Sequence, residues 1–260
     1  MTGINTTRET VNIFGKFLLT LWLKYQRTFR IYEQSTLINT IDMKKEFWIE
    51  KWQNKQTGFH KDFTHPLLIK YITETGIKQG DTVFVPLCGK SLDMLWLNNQ
   101  GYKVIGIEVS ELAIQQFFAE NNLHAVRSTI DKFDVYQFEN ITLYCGDFFN
   151  LTKKHALDIN AIYDRAAFIA LPEELVGKYV DKMFDIVPAG AKHLLITLEF
   201  VKNSGPIGPP FNSPQEKVDL LYSQFSSIKL LQEEDIIARE HKFKEQGCDY
   251  VFERVYLIET

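Results

Sequence analysis

The chain predicts an α/β protein built on a mostly parallel, seven-stranded sheet with helices on both faces and an antiparallel edge strand. Three observations predict it. Apolar runs of strand length alternate with helical patterns at intervals suited to right-handed crossovers. The run Val83-Phe84-Val85 breaks at a small-residue turn, Pro86-Leu87-Cys88-Gly89-Lys90, that leads into a helix. A second apolar run, Val104-Ile105-Gly106-Ile107, ends on an acid, Glu108, 21 residues beyond Leu87. A carboxylate at the end of a second strand can accept hydrogen bonds from both hydroxyls of a ribose.

Residues 1 to about 42 differ in character from the rest, with Thr and Asn clusters around one apolar stretch, Val11 to Leu23, and read as an N-terminal extension, helical or disordered in part. That stretch is interrupted by Lys16 and falls short of the ~20 apolar residues that span a bilayer. It has neither a basic leader nor a small-residue cleavage site, so no membrane anchor and no signal peptide is expected. The catalytic domain is expected over 43–260, with Met43 as a candidate start before the Phe47-Trp48 pair.

Leu67, Leu68 and Tyr71 sit at helical spacing within Pro66 to Glu74. The first strand spans Thr82 to Leu87, followed by a helix over Ser91 to Asn99, a turn at Gly101 and the second strand, Lys103 to Glu108. Ser110 is an N-cap for a helix to about Asn121. Ile141 to Cys145, Ala161 to Asp164 and His193 to Phe200 read as the third to fifth strands, with a helix over Pro172 to Ile186 between the last two. Then the rhythm changes. The prolines of Gly205-Pro206-Ile207-Gly208-Pro209-Pro210-Phe211 lack donors and fix φ, so this segment is a loop, expected to act as a lid. Ser213-Pro214 supplies an N-cap and first-turn pair for a helix to about Tyr222. Ile228 to Glu233 and Asp249 to Ile258 complete the sheet as an antiparallel pair.

Of the 260 residues, 45% are hydrophobic and 24% charged, enough for one large core. A net charge of −4 with interspersed signs offers no basic stripe for a phosphate backbone, so a small-molecule substrate is expected, and no nucleic acid. The three cysteines, Cys88, Cys145 and Cys248, show neither CxxC nor Cys/His ligand spacing. They read as small buried hydrophobes, reduced thiols of a cytoplasmic protein expected to be monomeric. His60 and His65 have no adjacent ligand set, so no metal is expected. Lys90 does not open a P-loop, because Phe84 stands where that motif needs its first glycine.

The first turn carries only Gly89, so the GxGxxG fingerprint of dinucleotide-binding dehydrogenases is absent. A pyrophosphate needs close backbone approach at several glycines. A nucleoside without phosphate needs only a turn against which its amino-acid end can lie, and S-adenosylmethionine is such a ligand.

Six segments stand in the order seen in one family: Phe47-Trp48-x-x-Lys51-Trp52, Thr57-Gly58-Phe59-His60, Pro86-Leu87-Cys88-Gly89-Lys90, Gly106-Ile107-Glu108-Val109-Ser110-Glu111-Leu112-Ala113-Ile114, Tyr163-Asp164-Arg165-Ala166-Ala167 and Gly208-Pro209-Pro210-Phe211. Over about residues 46 to 258 the chain resembles the thiopurine S-methyltransferase family. The resemblance implies a Rossmann-like class I methyltransferase with S-adenosylmethionine over the carboxyl ends of the first, second and fourth strands. It implies that Trp48 and Trp52 lie near the cofactor, Phe59 between cofactor and substrate, Leu87 at the first-turn contact and Glu108 on the ribose. It further implies Asp147 and Phe148 at the adenine, Arg165 at the cofactor and substrate end of the fourth strand, and the Pro210-Phe211 loop on the substrate side.

The residue types suit these roles. Aromatic faces attract a sulfonium, each contact worth about 0.5–2 kcal/mol. Transfer from a sulfonium to a thiolate neutralises both charges, so an aromatic-walled site favours it. Arg165, always charged, lowers the pKa of an adjacent thiol and is the candidate catalytic residue. The resemblance further implies a second substrate-side cation before the last strand; it falls on Arg239, His241 or Lys242, because this chain carries one residue more before Gly247 than the family's pattern, which leaves the pairing open.

The same residues admit plainer roles. Glu108 can cap the following helix or pair with a lysine, Trp48 and Trp52 can form a core-facing helical stripe, and Arg165 can pair with Asp164. The acceptor expected is an aromatic or heterocyclic thiol, with selenium or tellurium species, halide or thiocyanate as alternatives, and a non-catalytic S-adenosylmethionine-binding module as the reading from another class.

Overall fold

The computed structural model describes residues 45–156, 158–204 and 208–260. Met43–Thr260 form one compact unit; the expected extension, with its Val11 to Leu23 stretch, lies outside the described residues. Two short helices, α1 (Lys45–Gln53) and α2 (Pro66–Tyr71), lead into the first strand. Then follow β1 (Thr82–Val85), α3 (Asp93–Asn99), β2 (Lys103–Glu108), α4 (Glu111–Glu120), β3 (Val126–Ile130), β4 (Phe133–Phe138) and β5 (Ile141–Cys145). The second half comprises β6 (Ile159–Arg165), α5 (Glu173–Ile186), β7 (Lys192–Phe200), α6 (Gln215–Leu221), β8 (Ser227–Asp235), α7 (His241–Glu245) and β9 (Val251–Glu259).

The strands form a nine-stranded sheet in the order β3-β4-β5-β2-β1-β6-β7-β9-β8. From β5 to β7 all neighbours are parallel, while β3, β4, β9 and β8 add antiparallel pairings at both edges. The expectation of seven strands with antiparallel pairing at one edge is corrected by the β3–β4 hairpin. All of β3 is exposed, so it carries no buried face to stamp a period on the sequence. Its two-residue turn places Asp131 at φ 54°, which Asp tolerates better than most residues.

Side chains alternate between the two faces of each strand, which sorts the core into two layers. Val83, Val85, Val104 and Tyr163 pack under α2, α3 and α4 through Leu68, Met94 and Phe117. Phe84, Ile107, Ile162 and Leu195 pack under α5 and α6 through Tyr179, Met183 and Val218. Chain order departs from β1 in both directions, to β2 on one side and β6 on the other. Ligands of open α/β sheets bind outside the carboxyl ends of the strands at such a switch point.

Local chemistry explains most boundaries. Ser110 caps α4, its Oγ accepting from the Ala113 N–H at 3.4 Å. His65 caps α2, with Nδ1 accepting from Leu67 N–H and Pro66 in the first turn. The expected Ser213 cap does not form: Pro214 occupies the N-cap of α6 and the Ser213 hydroxyl donates to the Phe211 carbonyl at 3.1 Å. No helix among the described residues is long and apolar enough to cross a membrane.

Candidate functional site

The carboxyl ends of β1, β2, β5 and β6 form one rim. Beyond β1 the chain turns sharply, with Leu87 at φ 45° and Gly89 at φ 54°. The left-handed backbone costs a leucine about 1–2 kcal/mol; a bond from Cys88 N–H to the Ile107 carbonyl at 2.9 Å ties the turn to β2. The same turn aims the Gly89 N–H at Glu108 Oε2 (2.9 Å), and Ser110 N–H donates to Oε1 (2.8 Å). Glu108 is 5% exposed. Burial pushes its carboxyl up, opposed by the N–H groups of Ser110, Gly89 and Val109. Each oxygen still has a free lone pair, so the carboxylate can accept two more donors. Its bond to Ser110 also steadies the entry to α4, so the plainer role holds alongside.

The aromatic wall comes from α1 and the segment after it. Phe59 stands edge-on to both Trp48 and Trp52, each at 5.5 Å between ring centroids. Trp52 is buried and Trp48 half-buried, so the stripe packs and still presents a partly open ring. Trp52 also fixes the first turn: a Cβ on Gly89 would lie 3.0 Å from its Cζ2. Trp48, Trp52, Phe59, Gly89 and Glu108 thus form one connected group.

Asp147 and Phe148 follow β5, next to β2, where Gly146 N–H donates to the Glu108 carbonyl at 2.9 Å. Asp147 caps a single 3₁₀ turn, accepting from Phe149 N–H at 2.9 Å. The Phe148 ring is buried and packs on Tyr179 at 4.8 Å between centroids, so this residue offers the rim its main chain rather than its ring face.

Arg165 ends β6 half-buried, and among the described residues its guanidinium has no ion pair or hydrogen bond. Asp164 points to the opposite face, where it accepts from Tyr179 Oη–H (2.6 Å) and Phe168 N–H (3.0 Å). The Arg165–Asp164 pairing is therefore not the role of either residue. The Arg165 charge helps hold His65 down to about 4, after burial as the larger cause. Phe211 is bound to the turn after β6 through its N–H and the Ile169 carbonyl at 2.7 Å. The following residues clamp to β7, with Asn212 Oδ1 accepting from Phe200 N–H and Ser213 N–H donating to Leu198. Pro210 and Phe211 are thereby anchored to the turn after β6 and the end of β7; residues 205–207 of the expected lid lie outside the described residues. Arg239 pairs with Glu234 (2.8 Å) and with Glu253 on β9 (3.3 Å), whereas His241 and Lys242 are exposed on α7.

Sequence reasoning missed a polar network behind this rim. His65 N–H donates to Asp93 Oδ1 (2.7 Å), Tyr163 Oη–H to Asp93 Oδ2 (3.0 Å), and His65 Nε2 lies 3.8 Å from Glu253 Oε1. The available signal was an acid alternating with Val251 and Val255 in a strand buried on that face. Lys90 pairs with Glu120 at 2.7 Å. Burial pushes all three thiols up, Cys145 to about 11. A depression of about 490 Å³ lined by Gln115, Phe118, Leu123 and Tyr136 lies at the far end of α4 from Ser110, away from this rim.

A sheet of this order, with a single-glycine first turn and a buried acid closing β2, defines a Rossmann-like S-adenosylmethionine-dependent methyltransferase. Solved structures share the fold: a Burkholderia thailandensis 1,6-didemethyltoxoflavin-N1-methyltransferase with bound 1,6-didemethyltoxoflavin and S-adenosylhomocysteine superposes with a TM-score of 0.56 at 10% identity, over 83% of this chain and 87% of that one. A Haemonchus contortus phosphoethanolamine N-methyltransferase 2 gives 0.54 at 9% identity, over 75% and 52%. The chain belongs to the thiopurine S-methyltransferase family, whose model matches residues 43–260. It is similar to the thiopurine S-methyltransferases of Nitrosospira multiformis (39% identical over 84% of this chain and 99% of that one) and Nitrosomonas eutropha (42%, over 84% and 98%).

Proposed function

We propose that this protein transfers a methyl group from S-adenosylmethionine to the sulfur of aromatic or heterocyclic thiols, releasing S-adenosylhomocysteine and a thioether. The observation that carries the reading is the pairing of a buried, doubly N–H-bonded Glu108 under an aromatic wall with an uncompensated Arg165 on the same rim. Glu108 accepts the ribose hydroxyls, Leu87 and its turn lie along the amino-acid end, and Asp147 with the Phe148 main chain borders the adenine. Trp48 and Trp52 face the sulfonium with Phe59 between donor and acceptor, while Pro210 and Phe211 cover the acceptor and Arg239 supplies the second cation. Arg165 favours the thiolate over the thiol and orients it; the proton leaves to solvent before transfer.

When bound, the donor would supply the electrophilic methyl: the acceptor sulfur bonds to that carbon in line as the carbon's bond to the sulfonium breaks and S-adenosylhomocysteine leaves, with the aromatic walls excluding water. Three buried or half-buried free thiols and the net charge of −4 support a reduced, cytoplasmic location and a small-molecule partner, and the protein acts as a monomer. The 1–42 segment is a separate extension to the catalytic domain. The test is Arg165→Met against thiols of graded acidity. Loss of a charge-assisted contact should slow weakly acidic thiols about 10- to 100-fold and strongly acidic ones less. A uniform rate ratio across the series would remove Arg165 from this role.

A further inference from the structure

Glu253 is a buried carboxylate that the reaction outlined above does not use. It sits on β9 opposite Leu198 of β7 and Glu234 of β8, on the face where Val255 packs with Tyr163. Arg165 is two residues from Tyr163 and shares that face by strand alternation. Its register partner Ile196 is in turn paired with Val255, so Glu253 lies two strands from Arg165 and one pleat further toward the rim. Two strand spacings of about 4.8 Å and two residues of about 3.3 Å rise along the strand set the two positions about 12 Å apart.

The carboxylate is fixed from both sides. Oε2 accepts from Arg239 Nη2 at 3.3 Å, and Oε1 lies 3.8 Å from His65 Nε2. His65 Nδ1 accepts from Leu67 N–H, so its ring proton is on Nε2 and faces Glu253. His65 is in turn held by its N–H to Asp93. Glu253 thus lies between His65 on one side and Arg239 on the other. Burial pushes its carboxyl up while Arg239 and Arg165 oppose that shift, so it answers electrically to both.

We propose that Glu253 determines acceptor specificity by charge: it positions Arg239 and limits the positive potential that Arg239 and Arg165 together present to the acceptor. The proposal rests on the thiol-methylation reading. Deleting one unit charge about 12 Å from an acceptor charge held at Arg165, at an effective dielectric of about 20, shifts the relative rates of two acceptors differing by one charge about tenfold.

The experiment compares kcat/KM for 4-mercaptobenzoate and benzenethiol, both ionised at pH 8, with S-adenosylhomocysteine affinity followed by calorimetry. Glu253→Gln should raise the 4-mercaptobenzoate to benzenethiol ratio about tenfold at unchanged product affinity, and Glu253→Asp should keep the wild-type ratio. Arg239 is 56% exposed, so Arg239→Gln leaves the fold intact even where Glu253→Gln does not. It leaves Arg165 alone to oppose the carboxylate and should lower the same ratio about tenfold. A ratio within twofold of wild type in both Gln variants, with both acceptors slowed alike, would mean a purely structural role and overturn the proposal. Failure of the wild-type enzyme to methylate either thiol would overturn the thiol reading and this proposal with it, whereas turnover with an unmoved ratio overturns the proposal alone.

Discussion

Glu108→Gln isolates the donor half of the site. The wild-type carboxylate takes one main-chain N–H on each oxygen, from Gly89 at 2.9 Å and Ser110 at 2.8 Å, and leaves one lone pair on each for the ribose. An amide retains one acceptor and replaces the other oxygen by an NH₂. Whichever way it is turned, that NH₂ meets either Gly89 N–H or Ser110 N–H, donor against donor. One hydrogen bond of the charged type to the ribose is lost outright and the other becomes a neutral one. At about 1.5–3 kcal/mol per bond to a charged group and ~1 for a neutral one, the loss is about 2–5 kcal/mol, or about 30- to 5000-fold in Kd. Calorimetric titration with S-adenosylhomocysteine at low temperature reads this directly, with circular dichroism showing that the variant remains folded. A Kd within about threefold of wild type would refute the assignment of Glu108 to the ribose and the reasoning that led to it.

Two further outcomes concern stability. His65 is held down to about 4 from 6.5, so between those values the unfolded chain binds a proton that the folded one does not. Its contribution is complete above about pH 6.5 and drains away as pH falls toward 4, by up to about 3 kcal/mol. His65→Asn keeps an N-cap and removes this titration, so melting between pH 7 and 4.5 should fall less steeply than in wild type; equal slopes would refute the attribution. Gly89→Ala places a Cβ 3.0 Å from Trp52 Cζ2 at φ +54° and should destabilise by about 1–2 kcal/mol, read as an earlier denaturant midpoint with altered tryptophan emission. An unmoved midpoint would show that Trp52 does not brace the turn.

What the sequence discloses follows from how local each feature is. β2 and β5 were legible to the residue because their buried interior positions are apolar and bounded by polar or turn residues, and Ser110 was legible as a cap because its partner is three residues away. β3 was not, since a strand exposed throughout leaves no period, and the cap of α6 was misplaced because the Ser213 hydroxyl is claimed by the Phe211 carbonyl instead. Glu108, Trp52 and Phe59 were recognised from short motifs. The network joining Asp93, His65 and Glu253 escaped notice because it exists only across long stretches of chain: even Tyr163, which lies within a motif, meets Asp93 70 positions away. Arg165 stood beside Asp164 in sequence, yet the strand's alternation sends the two side chains to opposite layers.

The antiparallel course of β9 between β7 and β8 has a kinetic consequence. Because it runs against its neighbours, its starting end reaches the rim, bringing Glu253 level with residues that precede the sheet altogether. The same region is stitched by Lys70 and Tyr71 to Gln232 across 162 and 161 positions of chain. Contacts of such separation demand large loop closures and form slowly. The half proposed to hold the nucleoside, drawn from neighbouring turns of β1, β2 and β5, is therefore expected to organise first, so that refolding passes through a species that binds S-adenosylhomocysteine before the proposed thiol side is complete.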